Sequence, residues 1–394
     1  MTTTQICIVS DRLVPNLIPA LMLKPERLLL LSSPEMAEAG ITARLEAMLV
    51  KQGFDVSVAG GLPSGGMTKI AAFACSVLER WRASHPTDSV ILNISGGNKL
   101  MAIVLTQAIG TSVDGVIYTD TAHGVLETLA VPQGGDASPR PLESALDVAL
   151  YLEAQGLHPR AALDESPDWE QAVRARRSLT KYLGKRARGL ADFIGIVNSL
   201  ASSAMDERGD ALIRPLQQFK RTPRGLWAEA AREIDAAGLA RWDGAKGLTF
   251  TDAEAARYLG GGWLEEYAWL VARELRPDDV RLGLEGDWEG TKRGRNELDV
   301  VIVHRNRLLL IECKTSRHGR DLQDDAALLY KLDSVGDDVR GLFGEVMLLS
   351  AREPSALIND RADHHQIQVM GPERLPTLQR DIRDWMDTGR LPAG

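Results

Sequence analysis

Two apolar segments in the last third of the chain are interrupted by three residues that could do chemistry together: Asp299, Glu312 and Lys314. Residues 300–303 (Val-Val-Ile-Val) and 308–311 (Leu-Leu-Leu-Ile) are too short for helices and rich in branched side chains. They read as two strands joined by His304-Arg305-Asn306-Arg307. Side chains alternate along a strand, so Glu312 and Lys314 share one face and Cys313 takes the other. With Arg305 and Asn306 as the loop, antiparallel pairing sets Asp299 opposite Glu312, with Cβ atoms about 5 Å apart. Two carboxylates that close repel, and apolar neighbours leave little water to screen them. A divalent cation between them removes that cost, and oxygen ligands with positions left for water suit Mn²⁺ or Mg²⁺. Asp299, Glu312 and the Cys313 carbonyl form the expected ligand set. Lys314 beside it could orient a water or stabilise charge on a phosphate. A solvated edge hairpin with a surface Glu–Lys pair is the competing reading. The Leu-Leu-Leu-Ile run argues against it, because such a strand is expected to be buried on both faces.

The elements that must position these residues belong to a chain of 394 residues, long enough for two or three domains. Its 44% hydrophobic and 25% charged content is that of an ordinary globular protein. A formal net charge of −8 gives no global attraction to nucleic acid, so any such surface must be a local patch. The three cysteines (Cys7, Cys75, Cys313) are scattered through apolar patterns, with neither zinc spacing nor a disulfide framework. No basic segment followed by an apolar core opens the chain, and no apolar run is long enough to span a bilayer. A cytoplasmic protein off the membrane is expected.

Residues 1–155 alternate between the two periodicities. Strands are expected at 6–9, 27–31, 54–58, 89–94, 113–118 and 125–131, and helices at 36–52, 68–83 and 99–110. That order predicts a mostly parallel, doubly wound α/β domain, in which ligands bind beyond the carboxyl ends of the strands. Two strand ends there are rich in small polar residues. One carries Ser10 and Asp11, followed by Val14-Pro15-Asn16-Leu17. The other runs Asn93-Ile94-Ser95-Gly96-Gly97-Asn98-Lys99-Leu100-Met101. Adjacent glycines between strand and helix let backbone N–H groups approach an anion, the helix N-terminus adds a favourable field, and Lys99 adds a point charge. The loop matches neither G-x-x-x-x-G-K-[ST] nor G-x-G-x-x-G. A third loop, 60–66 with Ser64 and Gly65, could wall the same site. Plain turns and a flexible connection remain the alternatives for these loops.

The D-x(12)-E-x-K pattern resembles the core of PD-(D/E)xK nucleases. The whole order, an S/T-G-G-x-K loop in a Rossmann-like domain, a helical middle and a hairpin nuclease core, resembles the CARF-domain effector nucleases of type III CRISPR defence. Pro15-Asn16-Leu17, Gly261-Gly262-Trp263-Leu264-Glu265-Glu266-Tyr267 and Glu312-Cys313-Lys314-Thr315 carry that resemblance. It implies a Rossmann-like CARF domain over 1–157, a helical, winged-helix-like connector over 158–260 and a restriction-endonuclease-like α/β domain over 261–394. It further implies a homodimer whose paired loops bind a cyclic oligoadenylate, with cyclic tetra-adenylate the expected ring, and a nuclease acting on DNA or RNA that this ligand switches on. The binding residues so implied are Ser10, Asp11, Asn16, Ser64, Gly65, Asn93, Ser95, Gly96, Gly97, Asn98, Lys99 and Met101. The family's loop often carries Thr where Asn98 stands. The family also supplies a metal-site carboxylate from the helix after Gly261-Gly262, which places Glu265 first and Glu266 second. Both could equally be first-turn acids that answer the helix dipole.

Residues 171–190 hold seven Lys/Arg (Arg174, Arg176, Arg177, Lys181, Lys185, Arg186, Arg188) and no acid, a face that could follow a phosphate backbone or simply be solvated. A helix over 226–237 and a small hairpin around residues 243–247 resemble a winged helix, a shape that does not by itself establish DNA reading. Trp288, Glu289 and residues 293–297 lead into the hairpin. Arg317, His318 and Arg320, then Gln323, Tyr330 and Lys331, could line a nucleic-acid groove. Two other functions remain open at this point: a nucleotide-sensing DNA-binding regulator with a silent nuclease domain, and a restriction or repair nuclease without ligand control.

Overall fold

The computed structural model describes residues 2–130, 138–289, 296–315 and 344–392. They fall into two compact units that divide after His158.

The first unit is built on a sheet of β1 (Thr3–Ile8), β2 (Arg27–Ser32), β3 (Asp55–Gly60), β4 (Ser89–Asn93), β5 (Gly115–Asp120), β6 (Val125–Ala130) and β7 (Arg140–Pro141). The strand order is β3-β2-β1-β4-β5-β6-β7, parallel from β3 through β5 and antiparallel at the β6 and β7 edge. The central strands are buried on both faces, which is why β2 reads Leu-Leu-Leu-Leu without alternation. Helices Met67–Ser84 and Lys99–Ile109 bury Ile70, Ala74, Val77 and Leu78, and Val104, Leu105 and Ile109, in the core of this unit. The helix expected at 36–52 is two helices, Pro34–Glu38 and Ile41–Lys51, because Gly40 between them takes φ +74 and ends the first. The order reverses between β1 and β4. That is the switch point at which loops from neighbouring strands splay apart and leave a crevice.

The second unit carries a six-stranded sheet of β8 (Leu157–Ala161), β12 (Asp279–Trp288), β13 (Asn296–His304), β14 (Arg307–Lys314), β15 (Gly344–Ser350) and β16 (Ile367–Met370), in the order β16-β15-β14-β13-β12-β8. Strand β13 runs antiparallel to both β12 and β14, and β14, β15 and β16 run parallel to one another. A separate three-stranded sheet pairs β10 (Ala240–Trp242) with β11 (Gly247–Phe250) and β11 with β9 (Leu216–Gln218). Helix Leu226–Ala236 lies between β9 and β10, at the position expected. The basic segment is part of one 38-residue helix, Pro167–Ala204, capped by Ser166 through the Trp169 N–H. Its apolar stripe (Leu183, Leu190, Phe193, Val197) shares a single core with Trp263 and Leu264 and with Val300, Ile302, Leu309 and Ile311 of the large sheet. The helical middle and the sheet therefore pack as one unit, since neither could bury its apolar face alone. Among the described residues no helix is long and apolar enough to cross a membrane.

Candidate functional site

The hairpin forms as its sequence demands. Arg305 and Asn306 both take positive φ (49° and 61°), the geometry of a two-residue turn whose twist matches the flanking strands. The turn fixes the ladder, in which His304 pairs with Arg307 and Val300 with Ile311. The ladder ends at Val300 and Ile311, one step short of Asp299 and Glu312, and the charge of Glu312 acts on the Asp299 carboxyl. Val300–Val303 and Leu308–Ile311 are at most 1% exposed. The edge-hairpin reading is thereby excluded.

At the open end of the hairpin, side chains take over from the ladder. The Cys313 N–H donates to Asp299 Oδ2 at 2.7 Å. Lys314 Nζ donates to Glu312 Oε1 at 2.7 Å, with Glu312 only 3% exposed. Glu265, in the first turn of helix Trp263–Glu274, is the third carboxylate of the group. Its carboxyl is pushed up to about 7, chiefly by burial and then by the charge of Glu297, with Lys314 opposing and Glu312 adding. Burial also raises the Asp299 carboxyl well above the usual range, and Glu312 and Glu265 push it further. For Lys314 burial works toward loss of the proton, but the Glu312 carboxylate outweighs it and holds the ammonium above its usual range. Glu265, Asp299 and Glu312 thus act on one another and on Lys314 through their charges in a place that water screens poorly, although among the described residues no three carboxylates are already drawn together as a metal cage.

Glu266 does something different. It is 1% exposed and accepts from Arg176 Nε at 2.8 Å and from Thr180 Oγ1 at 2.6 Å. The Arg176 guanidinium lies over the Tyr258 ring at 4.4 Å. Glu266 is therefore consumed by the long helix, and of the two adjacent acids Glu265 alone acts on the hairpin group. Glu297, expected in the segment that leads into the hairpin, lies on β13 itself, one alternation before Asp299, and enters the electrostatics of Glu265. The signal was present: positions 297 and 299 share a strand face.

The basic face expected over 171–190 is closed only in part: Arg176 is buried and Lys181 half-buried, while Arg174, Arg177, Lys185, Arg186 and Arg188 are exposed. Arg174 pairs with Glu170, Arg177 and Lys181 share Glu274, and Arg176 is buried against Glu266 and Glu254. A helix that packs along its whole length turns much of its charge toward acidic neighbours, which a local count of charges does not reveal. Trp288 and Glu289 end β12, half-buried and exposed respectively. Arg293, Arg317, His318, Arg320, Gln323, Tyr330 and Lys331 lie outside the described residues.

In the first unit the loops after β1 and β4 meet at the switch point. Gly96 and Gly97 are there for space and for backbone geometry: a Cβ on Gly96 would overlap the Ile8 carbonyl oxygen, and Gly97 has φ +72 with Ile8 Cγ2 2.5 Å from where its Cβ would be. Beneath them runs a buried network. Asn16 Nδ2 donates to Ile8 O at 2.8 Å, Asn93 Nδ2 to Asn16 Oδ1 at 3.2 Å, and Ser95 Oγ to Asn93 Oδ1 at 2.6 Å. Thr119, from β5, closes it by donating to Pro15 O at 3.0 Å. Asn98 caps helix Lys99–Ile109 by accepting the Met101 N–H at 2.9 Å, and its Nδ2 donates to Ser64 O at 3.0 Å. That bond ties the 60–66 loop to the glycine loop. Asp11, Ser64, Gly65, Asn98 and Lys99 are exposed and Ser10 half-exposed, whereas Asn16, Asn93, Gly96 and Met101 are buried and shape the loops from below.

Comparison with known proteins fits this geometry. Residues 4–136 match the family model described as the Card1 CARF domain, and residues 252–388 that of the Card1-like endonuclease domain. Together the two span more than half of the chain. No curated protein matches the sequence significantly. Among solved structures, protein VC1899 from Vibrio cholerae is similar over 99% of both chains, with TM-score 0.83 and 22% identity. Can2 from Sulfobacillus thermosulfidooxidans, solved in complex with cyclic tetra-adenylate, is similar over 98% of this chain and 97% of its own, with TM-score 0.76 and 21% identity. A type III CRISPR defence DNA nuclease activated by cyclic oligoadenylate is similar over 94% of this chain but 48% of its own, with TM-score 0.55 and 17% identity.

Proposed function

We propose that this chain, which belongs to the CARF-domain effector nucleases of type III CRISPR systems that join a Card1 CARF domain to a Card1-like endonuclease domain, is a divalent-metal-dependent endonuclease switched on by cyclic tetra-adenylate. In this reading residues 1–157 sense the ligand, 158–260 connect and 261–394 cut DNA or RNA. The observation that carries it is the cluster of Asp299, Glu312 and Glu265 around Lys314.

The donor set is entirely oxygen, poorly hydrated and short of positive charge, which fits a hard cation such as Mn²⁺ or Mg²⁺. Asp299, Glu312 and Glu265, with the Cys313 carbonyl, would hold that cation, and it would supply Lewis-acid stabilisation of the charge that develops on the scissile phosphate. Lys314 fixes the orientation of Glu312 through their 2.7 Å bond. Its other N–H donors can meet a phosphate oxygen or orient the attacking water. The Cys313 N–H does the same positioning for Asp299. Burial of the group keeps bulk water out and strengthens each of these interactions.

In the sensor the glycine loop brings backbone N–H groups and the start of helix Lys99–Ile109 toward an anion, and Lys99 adds charge at the rim. A cyclic ligand of two-fold character is best met by two copies of one loop about a C2 axis, so the working form is a homodimer. The solved complex of Can2 with cyclic tetra-adenylate supports this choice of ring.

The test is direct. Purified protein is incubated with Mn²⁺ and plasmid, single-stranded DNA or RNA, with and without each cyclic oligoadenylate. Cleavage that needs both metal and cyclic tetra-adenylate is expected, from a protein that light scattering shows as twice the 43.0 kDa protomer. Absence of cleavage under every combination overturns the nuclease. Equal rates without activator overturn the switch.

A further inference from the structure

A groove of about 840 Å³ opens beside the carboxyl ends of β14 and β15, within the second unit. Asn198, Lys220, Arg221, Trp227, Thr315 and Arg352 are among the residues lining it. It is continuous with the carboxylate site along the backbone. Thr315 directly follows Lys314, and the Ala351 N–H donates to Lys314 O at 2.9 Å, which sets Arg352 next to the same strand end. Asn198 Nδ2 donates to Thr315 Oγ1 at 2.9 Å and locks helix Pro167–Ala204 against it. Arg352 is 8% exposed, donates to Ala191 O at 2.7 Å and pairs with Asp192 at 3.2 Å. It fits there because Gly195 leaves room; a Cβ at that position would overlap the guanidinium.

Lys220 and Arg221 bring a lining of another character, from a basic stretch of the chain. Residues 211–224 contain Arg214, Lys220, Arg221 and Arg224 and no acid, in a chain whose net charge is −8. Lys220 and Arg221 are exposed and make no ion pair with a described residue. Beside them Trp227 is half-buried, its ring 6.0 Å from Phe193, which in turn stacks on Phe219 at 6.0 Å. An aromatic surface held in place by other rings, flanked by unneutralised cations, is the combination that binds single-stranded nucleic acid. The volume is that of a pocket for a small molecule rather than of a channel for a duplex.

We propose that this groove holds an unpaired stretch of the substrate strand beside the cut, with Trp227 stacking on a base and Lys220 and Arg221 on phosphates. The proposal rests on the nuclease reading above and names where that nuclease takes its strand. It assigns a positioning role to residues outside the carboxylate cluster.

The test uses full-length Glu312→Gln protein with Mn²⁺ and cyclic tetra-adenylate, and fluorescence anisotropy of labelled oligo(dT), oligo(U) and a DNA duplex. Lys220→Ala/Arg221→Ala in that background should weaken single-strand binding about tenfold or more. It should also lower the log–log salt dependence by about 1.4, at about 0.7 for each phosphate of the single strand that is no longer neutralised. Trp227→Ala should weaken binding about five- to hundredfold, the range of one base stack, and Trp227→Phe should restore most of it. The oligo(dT) and oligo(U) arms show which sugar the groove takes. Activator affinity and melting temperature should stay at parent values in the exposed-charge variant. If the parent binds oligonucleotide tightly and the charge variant matches it in affinity and salt slope, the groove is overturned while the nuclease stands. Equal losses on duplex and single strand overturn the unpaired-strand assignment. A parent that binds no oligonucleotide, from a wild type that cleaves none, overturns the nuclease reading and the groove with it.

Discussion

Replacing Glu265 by glutamine should stabilise the metal-free protein at alkaline pH and destroy its metal-dependent cleavage. The carboxyl stands at about 7 instead of 4.5, chiefly through burial and then through Glu297. At about 1.36 kcal/mol per tenfold in proton affinity, that displacement corresponds to about 3 kcal/mol. Partial access to water trims it toward about 1–2 kcal/mol. Its sign follows from proton counting. Between 4.5 and about 7 the folded state holds a proton that the unfolded chain has released, so stability is full below 4.5, declines as pH rises to about 7 and is level above. The glutamine of the Glu265→Gln variant would not ionise, so the variant would not show that decline, and Asp299 would be relieved of one repelling neighbour. Denaturant unfolding in EDTA should find the two proteins close at pH 5 and the variant more stable by about 1–2 kcal/mol at pH 8. Saturating Mn²⁺ should reverse the order. Wild type gains about 2.7 kcal/mol at a hundred times its Kd, and the variant, lacking one ligand charge, gains less. A variant no more stable than wild type at pH 8, or Mn²⁺ that raises both equally, would refute the assignment of Glu265 to the cation.

Glu312→Gln removes a charge without volume, so cleavage should vanish while cyclic tetra-adenylate affinity, measured by calorimetry, stays at the wild-type value; full cleavage by the variant under Mn²⁺ would rule Glu312 out. Lys99→Ala, at an exposed position, should weaken activator binding about tenfold with an unchanged melting temperature, the size of one charge-assisted contact. Gly96→Ala should instead lower the melting temperature of the protein, because its Cβ meets backbone at Ile8 rather than a side chain that can move. Arg176→Met should cost about 3–5 kcal/mol in denaturant unfolding, since it leaves Glu266 buried without its counter-charge; a loss under about 1 kcal/mol would show that Thr180 and Tyr258 suffice without the guanidinium.

The parts of this molecule that were legible in the sequence are those decided locally. The β13–β14 hairpin is one: apolar strands with a two-residue turn leave one register, which pairs Val300 with Ile311 and brings Asp299 and Glu312 to the same end of the hairpin. The glycine loop is another, because adjacent glycines between strand and helix mark a place where the backbone must pass closely or take positive φ, as it does at Gly96 and Gly97. Helix Ile41–Lys51 was legible except for its start, where the apolar period runs through Gly40 and only the backbone shows the break. Strands β12 and β15 have no counterpart in the sequence expectations. In β12 the apolar residues Leu282 and Leu284 are separated by Gly283 and flanked by charge, so the alternation is thin.

What the sequence left open was decided by partners far along the chain. Glu265 and Glu266 are adjacent, share a helix turn and carry the same charge, and no local rule separates them. Arg176, 90 residues away, claims Glu266 by burying a guanidinium under Tyr258, and the neighbouring acid is left to the hairpin. The same packing takes Arg176 out of the dense charge at 171–190 by burying it against Glu266, while Arg177 and Lys181 share Glu274 and Arg174 pairs with Glu170 on its own helix. The cations left unanswered at 220 and 221 sit in a loop that no periodicity marks, beside a tryptophan held by Phe193. Charge density along the sequence marked the long helix, but it gave no sign of which cations packing would bury and which it would leave exposed, as it leaves Lys220 and Arg221.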